Sequence, residues 1–214
     1  MTSIIFDLDG TLVDSLPDIA AALNNVMVAE GHEPFDSEAV KGFIGGGIPA
    51  LAARAMEARA IPPSESERLT RAIRAVYTAE PATRTNVFFG VPMALVALQQ
   101  AGHVLGVCTN KPEEPARAIL DHLGLSPFFA SILGAGRLPV IKPDPAPLYQ
   151  VIADLGGGKA IFVGDSRIDA ETARAAGVPF LLYTGGYRKE AVHDLPHDAA
   201  FGDFTRLPAL IAGF

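Results

Sequence analysis

The sequence predicts an α/β fold, a doubly wound parallel sheet of Rossmann-like form with an inserted α-helical cap subdomain, and three observations carry that prediction. Short apolar strand-like runs alternate with helix-like segments along most of the chain. That rhythm leads to a parallel sheet with right-handed crossovers and helices on both faces. Residues 14–86 break it, with several helical patterns and no convincing strand, over a stretch too long for a loop. Finally, acidic and polar residues cluster directly after the strand-like runs, where an open parallel sheet binds its ligands.

The first strand is Ser3 to Phe6, closed by the apolar run Ile4-Ile5-Phe6 and followed at once by Asp7-Leu8-Asp9-Gly10-Thr11. The insertion opens with a helix from Leu16 to Glu30, which places Ile19, Leu23, Val26 and Met27 at helical spacing. Ser15-x-x-Asp18 has the pattern of a capping box at its start. Ser64-x-x-Glu67 opens another helix, running through Leu69, Ile73 and Val76. The expected division is a catalytic core of residues 1–13 and 87–214 and a helical cap of residues 14–86. Core helices resume at Val91 to Gln100, before a second strand from Val104 to Cys108. Pro112 to Leu123 reads as a helix, because Asn110-Lys111-Pro112-Glu113-Glu114 offers a cap, an early proline and acidic first-turn residues. Strand Ser131 to Leu133, a helix opening at Asp144-Pro145, strand Ala160 to Val163, helix Ser166 to Ala176 and strand Phe180 to Tyr183 complete the order.

At 214 residues and 49% hydrophobic, the chain can bury one well-formed core plus a smaller accessory one. A formal charge of −7 argues against nucleic acid or an anionic membrane as partner, since those need a basic face. An anionic substrate must then be held locally. The single cysteine, Cys108, rules out a disulfide framework within the chain, reads as a small buried strand residue, and points to a reducing compartment. No apolar run approaches membrane-spanning length, and the N-terminus lacks the pattern of a signal peptide. The cytoplasm is the expected location.

Asp7 and Asp9, two apart on an extended strand, face the same side. Neighbouring carboxylates are hard to keep ionised unless a cation lies between them or one holds a proton. The pair therefore suits a metal site, or a nucleophile beside a general acid. The other strand ends carry complementary groups: Thr109 and Asn110, then Lys142, then Asp165 and Asp169. Carboxylates suit Mg²⁺, whose shell is usually completed by water and substrate phosphate. A lysine and a hydroxyl suit a phosphoryl group, whose transfer needs an aligned nucleophile and fixed positive charge. Asp169, three residues after Ser166, also fits a capping box. Arg54, Lys111 and Arg167 are candidate anion contacts, although each reads first as a solvated surface charge. Gly156-Gly157-Gly158 reads as a helix connection, and Pro196 argues against a helix that would align His193 and His197.

The order Asp-x-Asp-Gly-Thr, Thr, Lys, Gly-Asp-x-x-x-Asp resembles the haloacid dehalogenase superfamily of phosphotransferases. Here it stands as Asp7 to Thr11, Thr109, Lys142 and Gly164-Asp165-Ser166-Arg167-Ile168-Asp169. The resemblance implies that Asp7 attacks phosphorus and forms an aspartyl-phosphate, while Asp9 protonates the leaving oxygen and later activates water. It implies that Thr109 and Lys142 hold the phosphoryl oxygens. Mg²⁺ would be held by Asp7, Asp165 and the main-chain carbonyl of Asp9, with Asp169 in or just behind that shell. Phe6 to Ser15, Phe43-Ile44-Gly45-Gly46-Gly47, Cys108 to Pro112 and Lys142 to Leu148 are similar to the phosphoglycolate phosphatases of that superfamily. They imply a phosphomonoesterase for a small phosphorylated metabolite, most simply 2-phosphoglycolate, with Thr11, Asn110 and Gly45, Gly46 and Gly47 among its substrate contacts. Another small-molecule phosphatase of the superfamily and a phosphosugar mutase, which shares the same catalytic set, are the alternatives, and a binding protein that keeps the fold without turnover is a third. Gly46 stands where relatives often carry a polar residue, leaving main-chain amides at that turn.

Overall fold

The computed structural model describes residues 2–79 and 82–214. The chain divides into two compact units, one formed by the residues up to Asp14 and from Val87 onward, the other by Ser15–Asn86.

The larger unit is an α/β layer structure. Its strands are β1 (Ser3–Phe6), β2 (Val13–Asp14), β3 (Asn86–Val87, at the boundary), β4 (Val104–Pro112), β5 (Ser131–Ala135), β6 (Ala160–Gly164), β7 (Phe180–Tyr183) and β8 (Ala199–Phe201). Six of them form one sheet in the order β5-β4-β1-β6-β7-β8, and the short β2 and β3 pair with each other. Every pairing in the large sheet is parallel. A parallel sheet covered on both faces needs strands that are apolar throughout, and β1 is buried along its whole length. In the order of their appearance, the six strands run 3-2-1-4-5-6. The switch point of this doubly wound order, where ligands bind, lies between β1 and β6. There Phe6 stands opposite Val163 and, on its other side, opposite Val107. The carboxyl ends of three strands are thereby brought level.

The helices of this unit, numbered after the four of the other, are α5 (Val91–Gln100), α6 (Glu113–His122), α7 (Ala146–Asp154), α8 (Arg167–Ala176) and α9 (Leu207–Ile211). Ile5, Phe162, Leu148, Val151, Ala170 and Leu182 join strands to helices in one apolar core. Besides the short β2 and β3, which the sequence reading did not include, β4 and β8 depart from it. β4 runs on to Pro112, its register against β5 shifting between Cys108 and Pro112, so α6 begins at Glu113 with Pro112 as its cap residue. β8, three residues long, was not read because it is too short to show a period.

The second unit is helical: α1 (Leu16–Ala29), α2 (Ser37–Phe43), α3 (Gly47–Ala58) and α4 (Ser66–Ala79). It has its own core of Leu23, Met27, Val40, Leu51, Leu69 and Ile73. The capping box expected at Ser15 is not formed, since the Ser15 side chain makes no cap bond. Asp18 instead accepts the Arg84 N–H at 3.0 Å and the Thr85 hydroxyl at 2.6 Å. A nonlocal demand has displaced a local one. A short 3₁₀ turn holds Ser64, so α4 starts two residues later than its sequence signal. Among the described residues, no helix is long and apolar enough to cross a membrane.

Candidate active site

The Asp7 N–H donates to the Val163 carbonyl at 2.9 Å, so the last ladder bond of the β1–β6 pair fixes the backbone from which its carboxylate projects. Asp7 Oδ1 accepts the Leu8 N–H at 2.7 Å and lies 3.0 Å from Lys142 Nζ. Lys142 is 2% exposed, and its ammonium also donates to Asp169 Oδ1 at 2.6 Å. The other Asp169 oxygen accepts the Ser166 N–H at 3.1 Å and its hydroxyl at 2.6 Å. Asp169 therefore completes a capping box on α8 and anchors the site lysine with its second oxygen. Neither role displaces the other.

Asp165, buried after β6, is held at both oxygens. The Thr11 hydroxyl donates to Oδ1 at 2.8 Å and the Tyr187 N–H to Oδ2 at 2.6 Å. The Tyr187 hydroxyl in turn donates to Asp14 at 2.7 Å. Asp7, Asp165 and Asp169 each offer one oxygen, all within 4.8 Å of one another. Burial pushes the Asp7 carboxyl up to about 6, with Lys142 opposing and Asp169 adding to the rise. Asp165 is raised well above the ordinary carboxyl range by burial and by the charges of Asp169 and Asp7. Burial disfavours the Lys142 ammonium, yet Asp169 and Asp7 outweigh it and hold its pKa above that of an ordinary lysine. An oxygen-only donor set whose members repel one another in a desolvated place fits a hard divalent cation, which relieves the repulsion and satisfies the lone pairs. Burial lifts the Cys108 thiol to about 12, leaving it a packed strand residue with no nucleophilic part.

Asp9 does not join that cluster through its carboxylate. Its two oxygens accept bonds from Lys111 Nζ at 3.0 and 3.1 Å, with the lysine side chain 4% exposed. This corrects the reading of Lys111 as a solvated charge: β4 continues past Cys108 and carries it into the interior. Thr109 is buried, and its hydroxyl oxygen accepts the Lys111 N–H at 3.2 Å. The Asn110 amide makes a two-way bond with the main chain of Lys142, accepting its N–H and donating to its carbonyl, both at 2.9 Å. In this structure Asn110 positions the lysine, as Thr11 positions Asp165.

Gly45, Gly46 and Gly47 lie in the helical unit, leading into α3 with φ of 106°, 89° and 79°, a region open to glycine and costly for other residues. Arg54, also read as solvated, donates to the carbonyls of Phe43 at 2.6 Å and Gly45 at 2.7 Å. It braces this turn from within the same unit. Arg167 does face solvent, paired with Glu190, and the side chain of His193 is exposed.

Two contributions escaped the sequence: the Lys111–Asp9 pair and the Gly186-Tyr187 loop that grips Asp165. A Cβ on Gly186 would collide with the Gly10 carbonyl and the Asp165 carboxylate. The double glycine soon after a strand end, Gly185-Gly186, was the available signal.

Residues 4–183 match the haloacid dehalogenase-like hydrolase family. A phosphoglycolate phosphatase of Cereibacter sphaeroides (strain ATCC 17029) is 45% identical over 213 residues, covering 99% of this chain and 98% of its own. One of Rhodobacter capsulatus is 39% identical, covering 99% and 97%. A crystal structure described as a predicted phosphoglycolate phosphatase of Haemophilus somnus superposes with a TM-score of 0.91 at 31% identity, covering 99% of this chain and 98% of that one. A hydrolase of the same superfamily from Geobacter sulfurreducens superposes at 0.77 with 26% identity, covering 99% and 96%. With a full-length likeness in sequence and fold, the chain belongs to the haloacid dehalogenase-like hydrolases.

Proposed function

We propose that this chain is a Mg²⁺-dependent phosphomonoesterase that hydrolyses 2-phosphoglycolate to glycolate and phosphate through an aspartyl-phosphate on Asp7. The observation that carries the reading is the Asp7 carboxylate, paired with buried Lys142 and set against Asp165 and Asp169 at the switch point of the sheet. The substrate follows the names of the relatives, two of which match essentially the whole chain.

In this reading an Asp7 oxygen attacks phosphorus while the bond to the leaving oxygen breaks, and the Asp9 carboxyl gives that oxygen a proton. Asp9 then takes a proton from the water that attacks the phosphoaspartate, releasing inorganic phosphate and restoring Asp7. The Lys142 ammonium and the Thr109 hydroxyl steady the phosphoryl oxygens, and Lys142 keeps Asp7 ionised for attack. Asp7, Asp165 and the Asp9 carbonyl would hold Mg²⁺, with Asp169 in or behind the shell; the ion supplies positive charge that draws the phosphate to the carboxylates. Thr11 and Asn110 serve by holding Asp165 and Lys142. The catalytic core is the unit that carries these residues, and the helical unit is the cap, with Gly45 to Gly47 offering main-chain amides to a compact anion.

The test is release of inorganic phosphate from 2-phosphoglycolate. It is expected with Mg²⁺, silenced by EDTA, and reduced about a thousandfold or more in Asp7→Asn, since an amide is a poor nucleophile and a poor metal ligand. Full activity of that variant, shown folded by circular dichroism, contradicts the assignment of Asp7. A mutase would transfer the phosphoryl group without net release.

A further inference from the structure

The chain passes between its two units twice, after Asp14 and after Asn86, and both passages are held by side chains that the reaction above does not use. The short strands β2 and β3 pair with each other there, and the Phe88 N–H donates to the Leu12 carbonyl at 3.1 Å, so the two passages form one ribbon. At its helical end Asp18, a buried carboxylate, accepts the Arg84 N–H and the Thr85 hydroxyl. At the other end Asp14, the last residue of β2, accepts the Tyr187 hydroxyl at 2.7 Å. A two-stranded ribbon is marginal alone, so such bonds decide how firmly it is held.

Tyr187 reaches the ribbon from the carboxylate cluster. Its N–H donates to Asp165 Oδ2 at 2.6 Å, and its ring, 8% exposed, lies against Gly10, where a Cβ would stand 2.8 Å from it. The Gly10 N–H in turn donates to the carbonyl of Val13, beside Asp14, at 2.9 Å. One residue thus holds a carboxylate of the cluster with its main chain and the ribbon with its side chain. Asp165 is buried and set against Asp7 and Asp169, so without a cation the three repel one another. A cation that fixes Asp165 also fixes the Tyr187 main chain, and the rigid ring carries that constraint to Asp14.

We propose that Tyr187 is a positioning residue that couples the cation to the ribbon, so that Mg²⁺ at Asp165 and order at β2 and β3 reinforce each other. The proposal rests on the Mg²⁺-dependent reading above and deepens it: the passage into the helical unit becomes firm when the site is loaded. Coupling of this kind is reciprocal, because a contact that the cation strengthens must strengthen cation binding by the same factor. The phenol hydroxyl is the part that carries it, since every residue but proline supplies the N–H on Asp165.

The experiment measures Mg²⁺ affinity by isothermal titration, and hydrogen exchange of residues 10–15 and 84–88 in Mg²⁺ and in EDTA. It takes the unaltered protein, Tyr187→Phe, Asp14→Ala and the double variant. Y187F keeps the main-chain bond to Asp165 and loses only the hydroxyl. In the unaltered protein Mg²⁺ is expected to slow exchange in both stretches about fivefold or more. Y187F is expected to abolish most of that slowing and to weaken Mg²⁺ binding by a similar factor. Asp14→Ala is expected to do the same and to add little to Y187F, because the two remove one bond; effects that add in full overturn the proposal. Should Y187F not fold, Asp14→Ala is read in its place. A merely structural hydroxyl lowers protection equally with and without Mg²⁺ and leaves the affinity unchanged, and that result overturns the proposal. An unaltered protein that binds Mg²⁺ with no change in exchange also overturns it, while leaving the phosphomonoesterase reading intact. Failure of the unaltered protein to bind Mg²⁺ at all brings down the cation in that reading and this inference with it.

Discussion

Lys142 is the side chain on which the charges of the site converge, with Asp7 at 3.0 Å and Asp169 at 2.6 Å. Replacing it with methionine keeps most of the bulk and removes the ammonium. The expected cost is on the order of a hundredfold or more in kcat, in line with other fixed charges that stabilise a transition state. Steady-state kinetics on a variant of native circular dichroism checks this, and a change in stability alone would make Lys142 a structural lysine. The carboxyls give a second expectation, in pH. Asp7 moves from an ordinary 3.8 to about 6 on folding, and Asp165 moves the same way. A carboxyl raised on folding lends stability that is fully present below its unfolded pKa and is lost as pH climbs through the folded value. The metal-free site therefore weakens the fold progressively from about pH 4 to above pH 6, where its carboxylates ionise against one another. Bound Mg²⁺ cancels that repulsion, so the rise in Tm on adding Mg²⁺ should be larger at about pH 8 than at about pH 5. Thermal melts in EDTA and in Mg²⁺ at both values test this; equal shifts would remove the cation from the carboxylate cluster.

Among the elements, the loop after β7 does more than its composition suggests. Gly186 passes so close to Gly10 and Asp165 that any side chain would push the strands' loops apart, and Tyr187 behind it donates its N–H to Asp165. Gly186→Ala is expected to weaken Mg²⁺ binding by about 10- to 100-fold, the usual cost of losing a group that orients a metal ligand. Isothermal titration with Mg²⁺ measures it, and native affinity would show that the loop does not govern Asp165. These contacts also show what sequence can and cannot reveal. Asp7 and Asp165 were legible because each follows an apolar strand run, and a parallel sheet gathers such ends on one rim; Lys142 and Asp169 were legible because they stand a little further along the segments that leave the same rim. Tyr187 was not, because it acts on Asp165 through a main-chain N–H that every residue but proline has. Lys111 was misread because Pro112 resembles a helix start and hides the continuation of β4. The capping pattern at Ser15 failed for a nonlocal reason: Arg84 and Thr85 claim Asp18 from 66 and 67 residues away.

For the molecule as a whole, a strand order of 3-2-1-4-5-6 places one reactive rim at the centre of the sheet, and a helical unit with its own apolar core is inserted directly after the first strand and its acidic turn. The alternation of elements and the break at residues 14–86 made this architecture readable, since layer order depends on patterns many residues long that single misread contacts do not disturb. The net charge of −7 leaves an anionic substrate to be drawn by local groups alone, which in the proposed reading are Lys142 and a cation held by the carboxylate cluster. Substrate choice is then the property that joins every part of the account. It is tested most directly by kcat/KM for 2-phosphoglycolate, two glucose phosphates and a nucleotide monophosphate, with released phosphate as the readout in Mg²⁺. The expected result is that 2-phosphoglycolate leads by about tenfold or more; a glucose phosphate or a nucleotide leading by that margin would contradict the assignment.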